Sequence, residues 1–117
     1  MSIKKTLLMA LGAAALFASN GHALNAGWTA EGRITDVYVG TKGVYEPTAN
    51  VGGMIISLLN GTTTKLFVIP LNETNEVRAM VSQVYNAKTN GYWVQVHNDA
   101  SGNWGGYQKV SRILVQQ

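Results

Sequence analysis

His97 is followed at alternate positions by Asp99, Ser101 and Asn103, and this is the stretch of the chain where side chains able to do chemistry lie closest together. Three oxygen-bearing residues spaced by two are how a calcium-binding loop begins, but such a loop then needs a glycine and, further on, a carboxylate able to bind through both oxygens. Those places hold Trp104 and Val110. Asp, Ser, Asn and Gly are also what turns are made of, and we read the stretch as a turn. A nucleophilic triad needs a hydroxyl or thiol activated by a base that a third group orients. Apart from His22 near the N-terminus, His97 is the only histidine, and Asp99 and Ser101 are too near it along one turn to reach triad geometry. Of the six acidic residues, Glu73 and Glu76 suit a helix N-terminus, which leaves Asp36 with Glu31 or Glu46 open as a carboxylate pair. The expectation is a protein that is not an enzyme, with no catalytic residue, no metal ligand set and no cofactor.

The aromatic residues point elsewhere. Trp28, Trp93 and Trp104 are joined by Tyr38, Tyr45, Tyr92 and Tyr107, and Tyr45, Trp104 and Tyr107 fall in or beside the two longest loops, 40–50 and 98–107. A ring among Asn, Asp, Ser and Gly suits a sugar: the ring stacks on the apolar face of a pyranose while amides and a carboxylate take the hydroxyls. The candidate ligand-binding set is therefore Tyr45, Asn98, Asp99, Asn103, Trp104 and Tyr107. Single-stranded nucleic acid also stacks on aromatic rings, but in a basic groove. Here the loops offer Lys42 against Glu46 and Asp99, so a glycan or protein partner is expected and nucleic acid is not. The competing structural role for Trp104 is to fold back and cover one end of the domain.

Elements that could bring those loops together follow from the pattern of residues. The segment Gly27 to Val39 is rich in strand formers, yet its apolar parity slips between Ile34 and Val37. A one-residue slip turns side chains to the other face, and a long strand containing one bends at a bulge, here near Gly32 and the Thr35-Asp36 pair. Strand two is expected over Val51 to Leu59, a tight hairpin at Asn60-Gly61, and strand three over Thr63 to Ile69, stopped by Pro70. A helix over Glu73 to Lys88 is capped by Asn72, carries Val77, Met80, Val81, Val84 and Tyr85 on one stripe, and ends at Asn90-Gly91. Strand four, Tyr92 to His97, alternates, and strand five is expected over Gln108 to Val115.

Five strands that must bury one face of one helix predict a mainly β domain, a five-stranded OB-fold-like barrel in the order β-β-β-α-β-β. A flat α+β sheet is the alternative. In the barrel, the loops that hold Tyr45 and Trp104 rise on the same side, and the expected core sets Val77, Val81 and Val84 against Val94, Val96, Met54 and Leu66.

The N-terminus predicts the compartment. Lys4 and Lys5 precede an apolar run of thirteen residues, Thr6 to Ala18, and small residues, Gly21 and Ala23, stand three and one places before a cleavage point after Ala23. This is the build of a secretory signal peptide, residues 1–23, and the run is short of the about 20 residues that span a bilayer. The expected working domain is 24–117, secreted or periplasmic, without a transmembrane segment. Losing Lys4 and Lys5 leaves seven basic against six acidic residues, so the net charge falls from +3 to about +1 and the basic balance is mostly a targeting feature. There is no cysteine, so a small exported domain must rely on packing, and a homo-oligomer is one way to extend it.

The strand and helix order, with Gly91-Tyr-Trp-Val-Gln-Val-His followed by Gly106-Tyr-Gln-Lys-Val-Ser-Arg-Ile-Leu-Val, resembles the B subunits of pertussis- and subtilase-type bacterial A-B toxins. Tyr107, Val110 and Ile113 stand where that family's closing strand reads Tyr-x-x-Val-x-x-Ile. The resemblance implies an OB-fold glycan-binding subunit that assembles in a ring and carries a catalytic A chain. The family commonly carries a disulfide, and this chain has no cysteine to form one.

Overall fold

The computed structural model describes residues 28–98 and 103–116. The expected signal peptide, Asp99 and Ser101 lie outside the described residues. The domain is mainly β with one helix: β1 (Ala30–Gly40), β2 (Gly53–Asn60), β3 (Thr63–Pro70), α1 (Asn75–Asn90), β4 (Trp93–His97), β5 (Asn103–Trp104), β6 (Tyr107–Lys109) and β7 (Arg112–Gln116). The strands form one curled sheet in the order β5-β6-β3-β2-β1-β4-β7.

Seven strands stand where five were expected, for two reasons. The loop 98–107 contains a short hairpin, in which Asn103 pairs with Gln108 and Trp104 with Tyr107 around Gly105-Gly106. The expected fifth strand is broken at Val110-Ser111, because its two halves serve different neighbours. β6 runs parallel to β3, whereas β7 runs antiparallel to β4. The break is bridged on both sides, since Val110 N donates to the Val68 carbonyl (2.9 Å) and Ser111 N to the His97 carbonyl (2.7 Å).

β1 serves both halves of the sheet. Its first residues pair with β4 and its later ones with β2, and Arg33 pairs with both Trp93 and Leu59. The register shifts between Ile34 and Asp36, which is the bulge that the parity slip predicts. At Gly32 a side chain would overlap the Leu59 carbonyl oxygen, so the crossing of the strands requires a bare backbone.

The helix starts two residues later than expected. Leu71 N still donates to the Gly52 carbonyl (2.9 Å), so the chain has not left the sheet at Asn72. Thr74 is the cap, extended at φ −118°, and its hydroxyl accepts from Val77 N at 3.2 Å. At the other end Gly91 sits at φ 68°, ψ 27°, the left-handed stop read from Asn90-Gly91. No helix among the described residues is long and apolar enough to cross a membrane.

The core gathers Ala30, Ile34, Met54, Ile56, Leu58, Phe67, Ile69, Val94 and Val96 from the strands with Val84 and Ala87 from α1. Val77 and Val81 are half-buried against it. Leu66 is not part of it: it pairs with Ser57 on the outward face and is 43 % exposed. Phe67 faces inward instead: the two-residue turn is Gly61-Thr62, one place later than the expected Asn60-Gly61, and it fixes the phase of both strands.

Candidate functional site

The outward face of β1 and β2 ends in two facing glycines, Gly40 and Gly53. A methyl group built on Gly53 would lie 2.6 Å from Cζ3 of Trp104 and 3.3 Å from Cδ2 of Tyr45, and one on Gly40 would lie 2.6 Å from Cε2 of Tyr45. Both rings therefore rest on bare backbone. Tyr107 meets Tyr45 edge to face, with centroids 6.2 Å apart at 83°. So the loop 41–52 and the β5–β6 hairpin, far apart in sequence, converge three aromatic rings on one patch of the sheet. All three are half-buried. Ile55 follows Gly53 on this face and pairs with Val68, and both are buried.

A carboxylate ties the two segments together. Glu46 Oε1 accepts from the Thr48 backbone N–H (3.1 Å) and hydroxyl (2.9 Å), and Oε2 accepts from Gly105 N (3.2 Å), 59 positions away. The Thr48 backbone and hydroxyl bonds, with the Gly105 bond behind them, outweigh desolvation and hold the Glu46 carboxyl below its ordinary range. Gly105 sits at φ 61°, and a side chain there would overlap the Tyr45 carbonyl oxygen.

Of the six residues read from sequence, Tyr45, Trp104 and Tyr107 come together. Asn103 is exposed at the start of the hairpin, paired through its backbone with Gln108. Asn98 braces the fold instead, since its side-chain Nδ2 donates to the Lys109 carbonyl (2.7 Å) and its backbone N–H donates to the Thr29 hydroxyl (2.8 Å). Asp99 lies outside the described residues. The sequence reading missed Glu46 as the tie and Gly40 and Gly53 as the seat. Two strand-end glycines flanking a loop with an aromatic residue are the pattern that could have revealed them.

Ser111 stands beside His97, a pairing that sequence distance hides. Ser111 Oγ lies 2.8 Å from His97 Nδ1 and donates to the His97 carbonyl at 2.9 Å. Trp28 packs edge-on against His97 (6.3 Å), and the Arg112 guanidinium lies 5.1 Å from the centre of the Trp28 ring.

Comparison of the chain with family models, with curated proteins and with solved structures found no match. The functional reading therefore rests on the geometry above.

Proposed function

We propose that this is an exported, non-catalytic binding module whose ligand is a glycan, held on the platform of Tyr45, Trp104 and Tyr107. The curled sheet is then a barrel of the OB type, with its binding loops at 41–52 and 103–107. One observation carries the reading: Tyr45 and Trp104, from two distant segments, are seated on bare backbone with Tyr107 packed edge-on against Tyr45, and the segments are tied by the Glu46 bonds to Thr48 and Gly105. A ring seated on one side and open on the other is a preorganised stacking surface, which lowers the ordering cost of binding. The likeness to toxin B subunits adds a ring-forming homo-oligomer to the proposal, and light scattering on the purified protein tests that part.

The experiment is Trp104→Ala on a broad glycan array. Loss of all wild-type signals with the fold retained supports the reading, and iodide quenching of Trp104 that a bound glycan prevents would agree with it. A wild-type protein that binds no glycan ends it. The second reading, a periplasmic adaptor whose aromatics meet another protein, is favoured by Tyr38, 50 % exposed on the same outward face next to Ile55.

A further inference from the structure

The β2–β3 hairpin extends beyond its neighbours. β3 pairs with β2 along its whole length, from Thr63 with Asn60 to Pro70 with Gly53, but β6 reaches only Phe67 and Val68. Among the described residues no strand pairs with the other edge of Thr63, Thr64, Lys65 and Leu66, and all four are exposed. Alternation decides which backbone groups face out. Asn60 and Thr63 flank a two-residue turn and exchange hydrogen bonds with each other, so Lys65 and Phe67 also turn toward β2. Thr64, Leu66 and Val68 turn the other way. The Val68 carbonyl accepts from Val110 N on that side, which fixes the phase independently. Thr64 and Leu66 thus present N–H and C=O groups along an open edge.

A cleft of about 400 Å³ adjoins this edge, lined by Thr29, Ala30, Glu31, Leu58, Asn60, Thr63 and Lys65. It opens because β1 leaves β2 for β4 at Gly32 and Arg33, so the start of β1 diverges from the hairpin. Its floor is apolar, made by the buried Ala30 and Leu58. Thr63 and Lys65 line it from the inward side of the strand whose edge is open. Glu31 also borders the cleft, and its Oε1 accepts from Trp93 Nε1 (2.9 Å) and Gln95 Nε2 (3.3 Å). The charge on the open stretch of β3 itself, Thr63 to Leu66, is the Lys65 ammonium.

We propose that the free edge of β3 receives an extended peptide segment of another protein as an added strand. Main-chain bonds form to Thr64 and Leu66, one apolar side chain enters the cleft over Ala30 and Leu58, and an acidic side chain lies beside Lys65. An open edge alone would fit any strand; the adjoining cleft and the Lys65 ammonium, which has no ion pair among the described residues, select an acidic, alternating segment.

The test uses dye-labelled, capped hexapeptides that alternate Val or Thr with Glu or with Lys, titrated into the purified protein by fluorescence anisotropy. Glu peptides should bind and slow amide exchange at Thr64 and Leu66, while Lys peptides should not. Thr64→Pro removes an outward N–H and leaves the β2 ladder intact, so it should weaken binding about tenfold with an unchanged circular dichroism spectrum. Lys65→Glu should invert the preference between the peptide sets without touching the backbone. Trp104→Ala should leave peptide binding unaltered, which separates this edge from the glycan platform. The proposal is overturned by a folded wild type that binds neither set, by binding indifferent to both Thr64→Pro and Lys65→Glu, or by an edge already protected through pairing with a second copy.

Discussion

Replacing Gly105 by alanine tests whether the hairpin is seated on the loop 41–52, and Gly106→Ala is its internal control. Both glycines have positive φ, 61° and 83°, so both variants carry the cost of a left-handed alanine, about 1 kcal/mol. A methyl group on Gly106 meets nothing within 4 Å. At Gly105 it overlaps the Tyr45 carbonyl, which is backbone and cannot rotate aside. The hairpin must then lift. Lifting gives up the Gly105–Glu46 bond and the burial of one side of Trp104. Roughly 100 Å² of that ring at about 25 cal/mol per Å² is about 2.5 kcal/mol. Together with the left-handed alanine this sets a ceiling of about 3 to 4 kcal/mol. Thermal unfolding followed by circular dichroism should therefore show a drop of about 4 to 8 °C for Gly106→Ala and at least twice that for Gly105→Ala. In a Trp28→Phe background, where Trp93 is buried, iodide quenching of Trp104 should rise only for Gly105→Ala. Equal drops with unchanged quenching would refute the seating of Trp104.

Further expectations follow from the same geometry. Val84 is fully buried on α1 whereas Val81 is half-buried, so Val84→Ala should cost about 1 to 3 kcal/mol and Val81→Ala clearly less by urea denaturation. Thr74→Ala removes the acceptor for Val77 N and should cost about 1 kcal/mol, while Asn72→Ala should be near neutral by the same measurement. The Glu46 carboxyl is held below its ordinary value of 4.5, so its contribution is fully present above that pH and is lost as the pH falls through the lowered folded value. Trp104 quenching should rise on acidification below about 4.5 in the wild type, and a flat profile there would remove Glu46 as the tie. In Glu46→Gln, which cannot titrate, the profile should be flat.

Local periodicity was enough for the hinge of β1 and the stop at Gly91, and it placed the β2–β3 hairpin to within one residue, because each is decided by neighbouring residues. The helix start was misplaced by a tertiary effect: the Leu71–Gly52 bond keeps the chain in the sheet past Asn72, which local capping chemistry cannot reveal. The break at Val110-Ser111 has the same origin, since it exists to serve β3 on one side and β4 on the other.

Strands two and three carried a message that alternation obscured. Gly53 to Leu59 and Leu66 to Ile69 are nearly continuous apolar runs, and such runs mark strands covered on both faces. The inner side of the curled sheet explains Met54, Ile56, Leu58, Phe67 and Ile69, but it leaves Ile55 and Val68 needing a cover outside. The aromatic loop residues lie on that outward face. Tyr45 and Trp104 rest on Gly40 and Gly53, at the end of the row that continues through Ile55 and Val68. This joins two roles that sequence reasoning set against each other. A ring lying on the sheet gains rigidity from the face it buries and keeps its remaining surface for a ligand. Half-burial of Tyr45, Trp104 and Tyr107 is therefore the exposure that a preorganised platform requires, and removing Trp104 should lower both stability and binding rather than one alone.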